Sequence, residues 1–380
     1  MVSMTTKPAD ALEIYEGNRD FYVPTYKVYV DGRNTPADVI RDVTQVSYRD
    51  NIAEMDSFEI TINNYDAETR SYKYSDEGSD HNFDPGKKLE LYMGYFGQTE
   101  LTRMIEGEIT QLRPNFPASG APTLQISGLN ILHRFRKKQN TESYLKKTDI
   151  DIAKAIAKRL SVDIDAVDSP EGKTVREYVL QDNQYDIIFL MERARKIGYD
   201  ISVVEGKKRG QSKLRFAPSG TLQQRPYDLK YGKSLIQFQP TLTTKDQVNK
   251  VTVKGWDPVK KKPISVTVTR KELTTRSMKS KDEQFLEPAF DREEIITNIP
   301  VRNDAEAKTE AKGALERIVK DMITGGGSTV GMPDLRAGTV VYIRGIGERF
   351  SGRYFITSTT HTINDSGYMT TFEARREEKA

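Results

Sequence analysis

Three histidines, a scatter of acidic pairs, one glycine-rich run and a single tryptophan are the residues whose types could do chemistry in this chain. His81, His133 and His361 lie far apart, and a metal site would need them to converge with carboxylates. Each reads instead as a surface or structural residue, His361 as one position on a strand face. Asp163/Asp165 and Glu293/Glu294 could be written as acid and base for glycoside cleavage, but among 55 acidic residues such pairs arise by chance. Residues 325–329, GGGST, invite a phosphate-loop reading. They follow an expected helix instead of preceding one and lack the Gly-Lys-Ser/Thr ending, so they read as a helix stop. Trp256 stands beside Asp257-Pro258 as a core or interface anchor, the rival role being a sugar platform. No Gly-x-Ser-x-Gly elbow or His-Glu-x-x-His occurs. The absence of cysteine removes disulfides, thiolate nucleophiles and cysteine-ligated zinc together. The expectation is no catalytic, cofactor-binding or metal residue, and no cofactor.

The composition sets the frame for these residues. At 380 residues the chain exceeds one ordinary core and is expected to hold several domains. A net charge of +3, set against 58 basic and 55 acidic side chains, does not mark a nucleic-acid binder. The short basic runs at 134–138, 207–209 and 260–262 lie beside turn-like sequence and read as solvated loops or oligomer contacts. No apolar run reaches the length of a membrane span, and the first twenty residues lack the apolar core of a secretion signal.

The elements that must position these residues are mostly strands. Residues 26–30, 43–48, 57–63, 88–95, 104–112 and 123–128 read as strands, with Phe58, Ile60 and Ile62 alternating against Glu59, Thr61 and Asn63. Their short, even spacing predicts a small barrel, which removes exposed sheet edges. After Leu129 the period changes to that of a helix. Thr148-x-x-Asp151 opens one as a capping box, and Ile187, Leu190, Met191, Ala194 and Ile197 form the stripe of a second that stops at Gly198. Strand-like pieces at 175–180, 200–204 and 213–216 complete an α+β insert. β patterning returns at 248–255 and 264–269. A polar loop is expected over 271–292, a helix over 304–323 capped by Asn303 or Asp304, and three closing strands at 339–344, 353–364 and 368–375. Asp365-Ser366-Gly367 reads as the hairpin turn. The fold class expected is mainly β, two small antiparallel barrels around a helix-containing insert. The domains would be a flexible arm over 1–20, a first barrel over 21–136, the insert over 137–225, a second barrel with packed helix over 226–376, and a tail over 377–380.

Several of these stretches resemble a known family. Residues 178–201, YVLQDNQYDIIFLMERARKIGYDI, and 51–63, NIAEMDSFEITIN, are similar to segments of the phage late-control D proteins. So is the closing stretch with Gly331-Met332-Pro333, Gly338, Ser351-Gly352, His361 and Gly367-Tyr368. These are the baseplate hubs of contractile tails, related to the N-terminal half of type VI secretion VgrG spikes. The resemblance spans residues 20–376. It implies a tube-like fold for both barrels and a non-enzymatic homotrimer that adapts a sixfold inner tube above to a threefold spike below. Baseplate wedge proteins would surround it. Because the chain stops at Ala380, the spike, with its oligonucleotide/oligosaccharide-binding fold and β-helix, is expected to be a separate protein. The protein would assemble in the bacterial cytoplasm and become part of a virion or injection particle, without inserting into a membrane by itself. Phe58, Ile60, Trp256, Tyr342, Tyr354 and Tyr368 are assigned to interfaces. The rival expectations are a tail-tip peptidoglycan or glycan hydrolase and a carbohydrate-binding tail module.

Overall fold

The computed structural model describes residues 11–13, 21, 23–75, 83–98, 100–136, 138–204, 213–218, 226–273, 275–277, 286–299 and 301–379. One sheet dominates it. Six strands come from the N-terminal third, β1 (Pro24–Val30), β2 (Val43–Asn51), β3 (Ser57–Asn63), β4 (Lys88–Tyr95), β5 (Thr102–Asn115) and β6 (Thr123–Asn130). They lie side by side in the order β1-β4-β5-β6-β3-β2. Alternation buries one side of β2, β3 and β6, while β4 is buried on both sides. Val46, Phe58, Ile60, Leu91, Ile109 and Ile126 meet in the first core, and the short helix Ala37–Asp42 brings Val39 into it.

The insert follows, with β7 (Gln139–Lys147), helix α1 (Asp149–Arg159), β8 (Ile164–Ala166), β9 (Arg176–Tyr185), helix α2 (Asp186–Lys196), β10 (Tyr199–Val204) and β11 (Lys213–Pro218). Both signals read from sequence are present. Thr148 and Asp151 exchange side-chain and backbone bonds as a capping box, and Gly198 ends the second helix at φ +70°, a left-handed conformation open to glycine at no cost. The apolar stripes of α1 and α2 pack into one core with Tyr199 and Phe216. The polar strand β7, QNTESYLKK, shows no alternation in its sequence and was not expected; it pairs antiparallel with β9.

The C-terminal part holds β12 (Tyr227–Lys230), β13 (Leu235–Leu242), β14 (Lys250–Asp257), β15 (Lys262–Thr269), β16 (Glu293–Ile296), helix α3 (Asp304–Lys320), β17 (Ile323–Val330), β18 (Val340–Arg344), β19 (Gly352–Asn364) and β20 (Gly367–Arg376). Strands β14, β15 and β16 form their own small sheet. Its inner face carries Val251, Val253, Ile264 and Val268 against Ala307, Ala311, Leu315 and Val319 of α3, which Asn303 caps by accepting from Glu306 N–H at 2.8 Å. The other six strands form a second barrel in the order β12-β18-β19-β20-β17-β13, and an isolated bridge between Tyr231 and Leu235 lies in the turn that joins β12 to β13. Leu12 and Glu13, inside the expected arm, pair in parallel with β12.

The glycine run is a correction. Residues 325–327 lie inside β17, in the wall of the second barrel, instead of ending α3. A Cβ on Gly327 would lie 2.8 Å from Gln237 O and 2.8 Å from the Phe372 ring, and one on Gly325 would lie 2.7 Å from the Phe238 ring. The strand is built of glycine because two aromatic rings already occupy the space a side chain would need. Gly327→Ala is therefore expected to destabilise the chain by about 1–3 kcal/mol through overpacking, read as a lower urea midpoint at unchanged slope. An unchanged midpoint would mean that the wall has room.

The two barrels repeat one plan in detail. Numbered within each set, the strands run first-fourth-fifth-sixth-third-second in both. Each second strand carries a bulge one residue after its start, at Thr44 and at Ile236. Each fifth strand carries a bulged threonine, Thr110 and Thr357, whose hydroxyl donates to the sixth strand at Ser127 O (3.5 Å) and Glu373 O (3.1 Å). The residue before each bulge is isoleucine, bonded the same way. Ile109 N–H reaches Lys87 O at 2.9 Å and accepts from Gly86 at 2.8 Å. Ile356 N–H reaches Thr339 O at 2.9 Å and accepts from Gly338 at 2.9 Å. Gly86 and Gly338 both have φ near +90° (95° and 85°). Aligned on these features, Val46, Ile60 and Ile126 of the first core correspond to Phe238, Gly327 and Phe372 of the second. One layer is filled by two aromatics and a glycine where the other uses three aliphatics, so volume is kept while identity is lost. The first strands differ: β1 pairs antiparallel with β4, whereas β12 pairs parallel with β18.

Candidate functional site

The two barrels are fused through a single strand. The first half of β19 pairs with β18; past the bulge at Thr357, residues 358–364 pair antiparallel with residues 51–45 of β2, while β20 stays on the other edge. Fourteen strands, the twelve barrel strands with Leu12–Glu13 and Arg33–Asn34, thereby become one sheet.

A buried polar cluster locks this seam. Asp50 on β2 commits both carboxylate oxygens. Oδ1 accepts from Thr359 N–H at 3.2 Å and from the Thr359 hydroxyl, and Oδ2 accepts from Arg336 Nε at 2.7 Å and Ala337 N–H at 3.2 Å. Arg336, on the loop between β17 and β18, also donates to Met104 O at 3.0 Å and to the Tyr48 hydroxyl. Its guanidinium lies 4.5 Å from the centroid of the Tyr48 ring. Burial opposes the Arg336 charge, but Tyr48 and Asp50 outweigh it and hold the group above its ordinary pKa.

His361 sits opposite Tyr48 in the ladder and is wholly buried. Its Nε2 lies 3.0 Å from Leu335 O and 3.1 Å from the Thr359 hydroxyl; its Nδ1 lies 3.0 Å from the Tyr368 hydroxyl and 3.1 Å from Thr370 Oγ1. Burial above all, with Arg336 nearby, pushes its pKa down to about 4, against a pull upward from Asp50. The Tyr95 hydroxyl completes the cluster by donating to Gly331 O at 2.9 Å. The imidazole is buried and neutral, and the carboxylate beside it has both oxygens engaged in bonds that tie the two barrels together. The arrangement can hold two barrels at a fixed angle, which is a mechanical task. On its solvent side a cleft of about 310 Å³ lies between this seam and β10, with Asp56, Arg103, Asp200 and Arg336 on its walls.

The residues singled out from sequence fall into three groups. Phe58, Ile60, Tyr354 and Tyr368 are buried within the chain. Assigning them to interfaces is corrected, because their rings and methyls fill the barrel cores and leave no surface for a neighbour. Trp256 is 57% exposed at the end of β14, and Tyr342 is half-buried. Among the acids, Asp165 pairs with Arg215 at 2.5 Å and Glu293 with Lys250 at 3.2 Å. His133 Nδ1 lies 3.2 Å from Asn130 O, and His81 lies outside the described residues. The cluster residues Tyr48, Asp50 and Arg336 were missed. The signal available was the stretch 331–368 itself, since Gly331, Gly338, His361 and Tyr368 of the resemblance all gather at this seam.

Two fused barrels with a helical insert constitute a fold found in phage tail proteins. A tail protein of prophage MuSo2 from Shewanella oneidensis, of 43 kDa, aligns at a TM-score of 0.68 with 14% identity, over 93% of this chain and 98% of that one. A tail protein from Neisseria meningitidis MC58 aligns at 0.64 with 13% identity, over 93% and 97%. The Escherichia coli c3393 protein, a type VI secretion component described as similar in structure to T4 bacteriophage tail proteins gp27 and gp5, aligns at 0.57 with 12% identity, over 92% and 76%. At such identities the likeness is one of fold. No curated protein matches the chain in sequence. The family described as the Alg8 N-terminal domain matches residues 21–365, and the chain belongs to that family.

Proposed function

We propose that this chain is the baseplate hub of a contractile tail or injection machine, of the late-control D type, working as a trimer without catalysis. The observation that carries the reading is the repeated barrel plan, with matching bulges, glycine turns and strand order on a single sheet. Three chains with two equivalent barrels each supply six equivalent units around an axis, which a sixfold tube can meet, while the whole keeps the threefold symmetry of a spike. The tail-protein fold supports the same role. The locked seam suits it too, since a hub driven through an envelope must transmit force between its barrels without shearing them apart. The inner tube protein would sit above, a separate spike protein below and wedge proteins around, with exposed Trp256 and half-buried Tyr342 available for such contacts.

Electron microscopy of the native particle tests this by counting copies around the axis. Three copies with six barrels in one ring are expected. Six copies would make the chain a tube-like component, and no axial position would overturn the reading.

A further inference from the structure

We infer that neighbouring chains join through β13 of one copy and β5 of the next, repeating between copies the contact that β2 makes with β19 inside each chain. This rests on the trimeric reading and names the surfaces that would close the ring. The aligned bulges make β13 the counterpart of β2 and β5 the counterpart of β19. Within the chain, β2 occupies the edge that β19 offers beyond its bulge. Among the described residues no strand occupies the matching edge of β5 beyond Ile109, nor the outer edge of β13 beyond the Tyr231–Leu235 bridge. Among the described residues each chain therefore presents one open strand of each kind, and such a head-to-tail contact repeats until it closes.

Carrying the internal register across puts Leu242 opposite Leu112, Pro240 opposite Pro114 and Phe238 opposite Phe116. The side chains suit this. Phe116 is 59% exposed, and Leu112 and Leu242 are half-buried at their edges. Leu242 and Leu112 stand where the internal seam has Asp50 and Thr359, so an apolar pair replaces the charged clamp. Pro240 and Pro114 stand where it has Tyr48 and His361. Each proline pairs on its closed side, with Gly325 and Leu124, so its missing N–H faces the open edge. Prolines so placed protect lone chains from indiscriminate sheet growth. The inter-chain pairing is confined to their flanks, and the partner that fits both edges is a second copy of this chain.

Because the chain lacks cysteine, disulfide trapping tests the register directly. Thr241→Cys with Arg113→Cys places thiols at the counterparts of Arg49 and Thr360, which face each other in the internal seam. Oxidation of the double variant should give a covalent ladder ending at three chain masses, while a mixture of the two single variants should stop at two. Phe116→Asp, at an exposed position, should weaken self-association at least about tenfold and lower the unfolding midpoint only slightly, through loss of the edge-to-face contact with Tyr72 at 5.4 Å. Wild-type trimers in sedimentation with no cross-link in the double variant would overturn this seam and leave the hub reading intact. A wild-type chain that sediments as a monomer at high concentration, with no cross-link, would overturn both.

Discussion

Arg336→Ala is expected to cost about 3–5 kcal/mol of stability, because it strands the buried Asp50 carboxylate without its partner. Asp50 has 7% and Arg336 23% of its side chain exposed, so water cannot fully replace what is lost. The bond to Met104 O and the stacking on Tyr48 go as well. The measurement is urea unfolding followed by circular dichroism, comparing Arg336→Ala with Arg336→Ala/Asp50→Leu. The double variant should recover part of the loss, since leucine is what stands at the corresponding position, Leu242, of the other barrel. A single-variant cost below about 1 kcal/mol would mean that the seam is held by its ladder alone and the cluster is incidental.

Acid should weaken the same seam through His361. Its pKa is about 4 in the folded chain against 6.5 for the free side chain, so between these values the unfolded chain binds a proton that the folded one does not. The contribution is fully present above pH 6.5, falls as pH drops from 6.5 towards 4, and is gone below 4; it amounts to at most about 3 kcal/mol. Unfolding midpoints across this window should fall for the wild type and flatten for His361→Gln, which keeps a hydrogen-bonding side chain but cannot titrate. A His361→Gln chain with the wild-type slope would assign the acid sensitivity to carboxylates elsewhere.

Much of the strand and helix content was legible because local patterns produce it. Alternation at 57–63, the Thr148–Asp151 box and the glycine at 198 each act within a few residues, and the structure honours all three. The failures are equally physical. Strand β7 is polar because a two-stranded ribbon buries little of it, so its residues carry no period. The glycines of β17 look like a stop signal because the reason for them, the rings of Phe238 and Phe372, lies far along the chain. Strands β14 and β15 alternate as barrel strands would, yet they pair with each other and β16 under α3, a choice made by the apolar face of that helix.

The sequence by itself determined that this chain makes two sets of short strands, a capped two-helix insert and a long amphipathic helix, without cysteine chemistry. Period, caps and turn residues are short-range properties, and they survive in the order of the letters. Only the tertiary structure decided that the two sets, expected as two barrels, match in strand order and bulge positions, that they fuse along β2 and β19, and that Asp50, Arg336 and His361 meet there. Thr359 and Asp50 are 309 positions apart along the chain, and Arg336 is 286 from Asp50. Contacts at such range are chosen by which faces and edges remain unsatisfied once the local elements have formed. The internal repeat was hidden for the same reason. Bulge positions and strand pairing preserve it, whereas the side chains have exchanged Ile60 for Gly327 and His361 for Pro114 under packing demands that differ between a seam inside the chain and an edge left open.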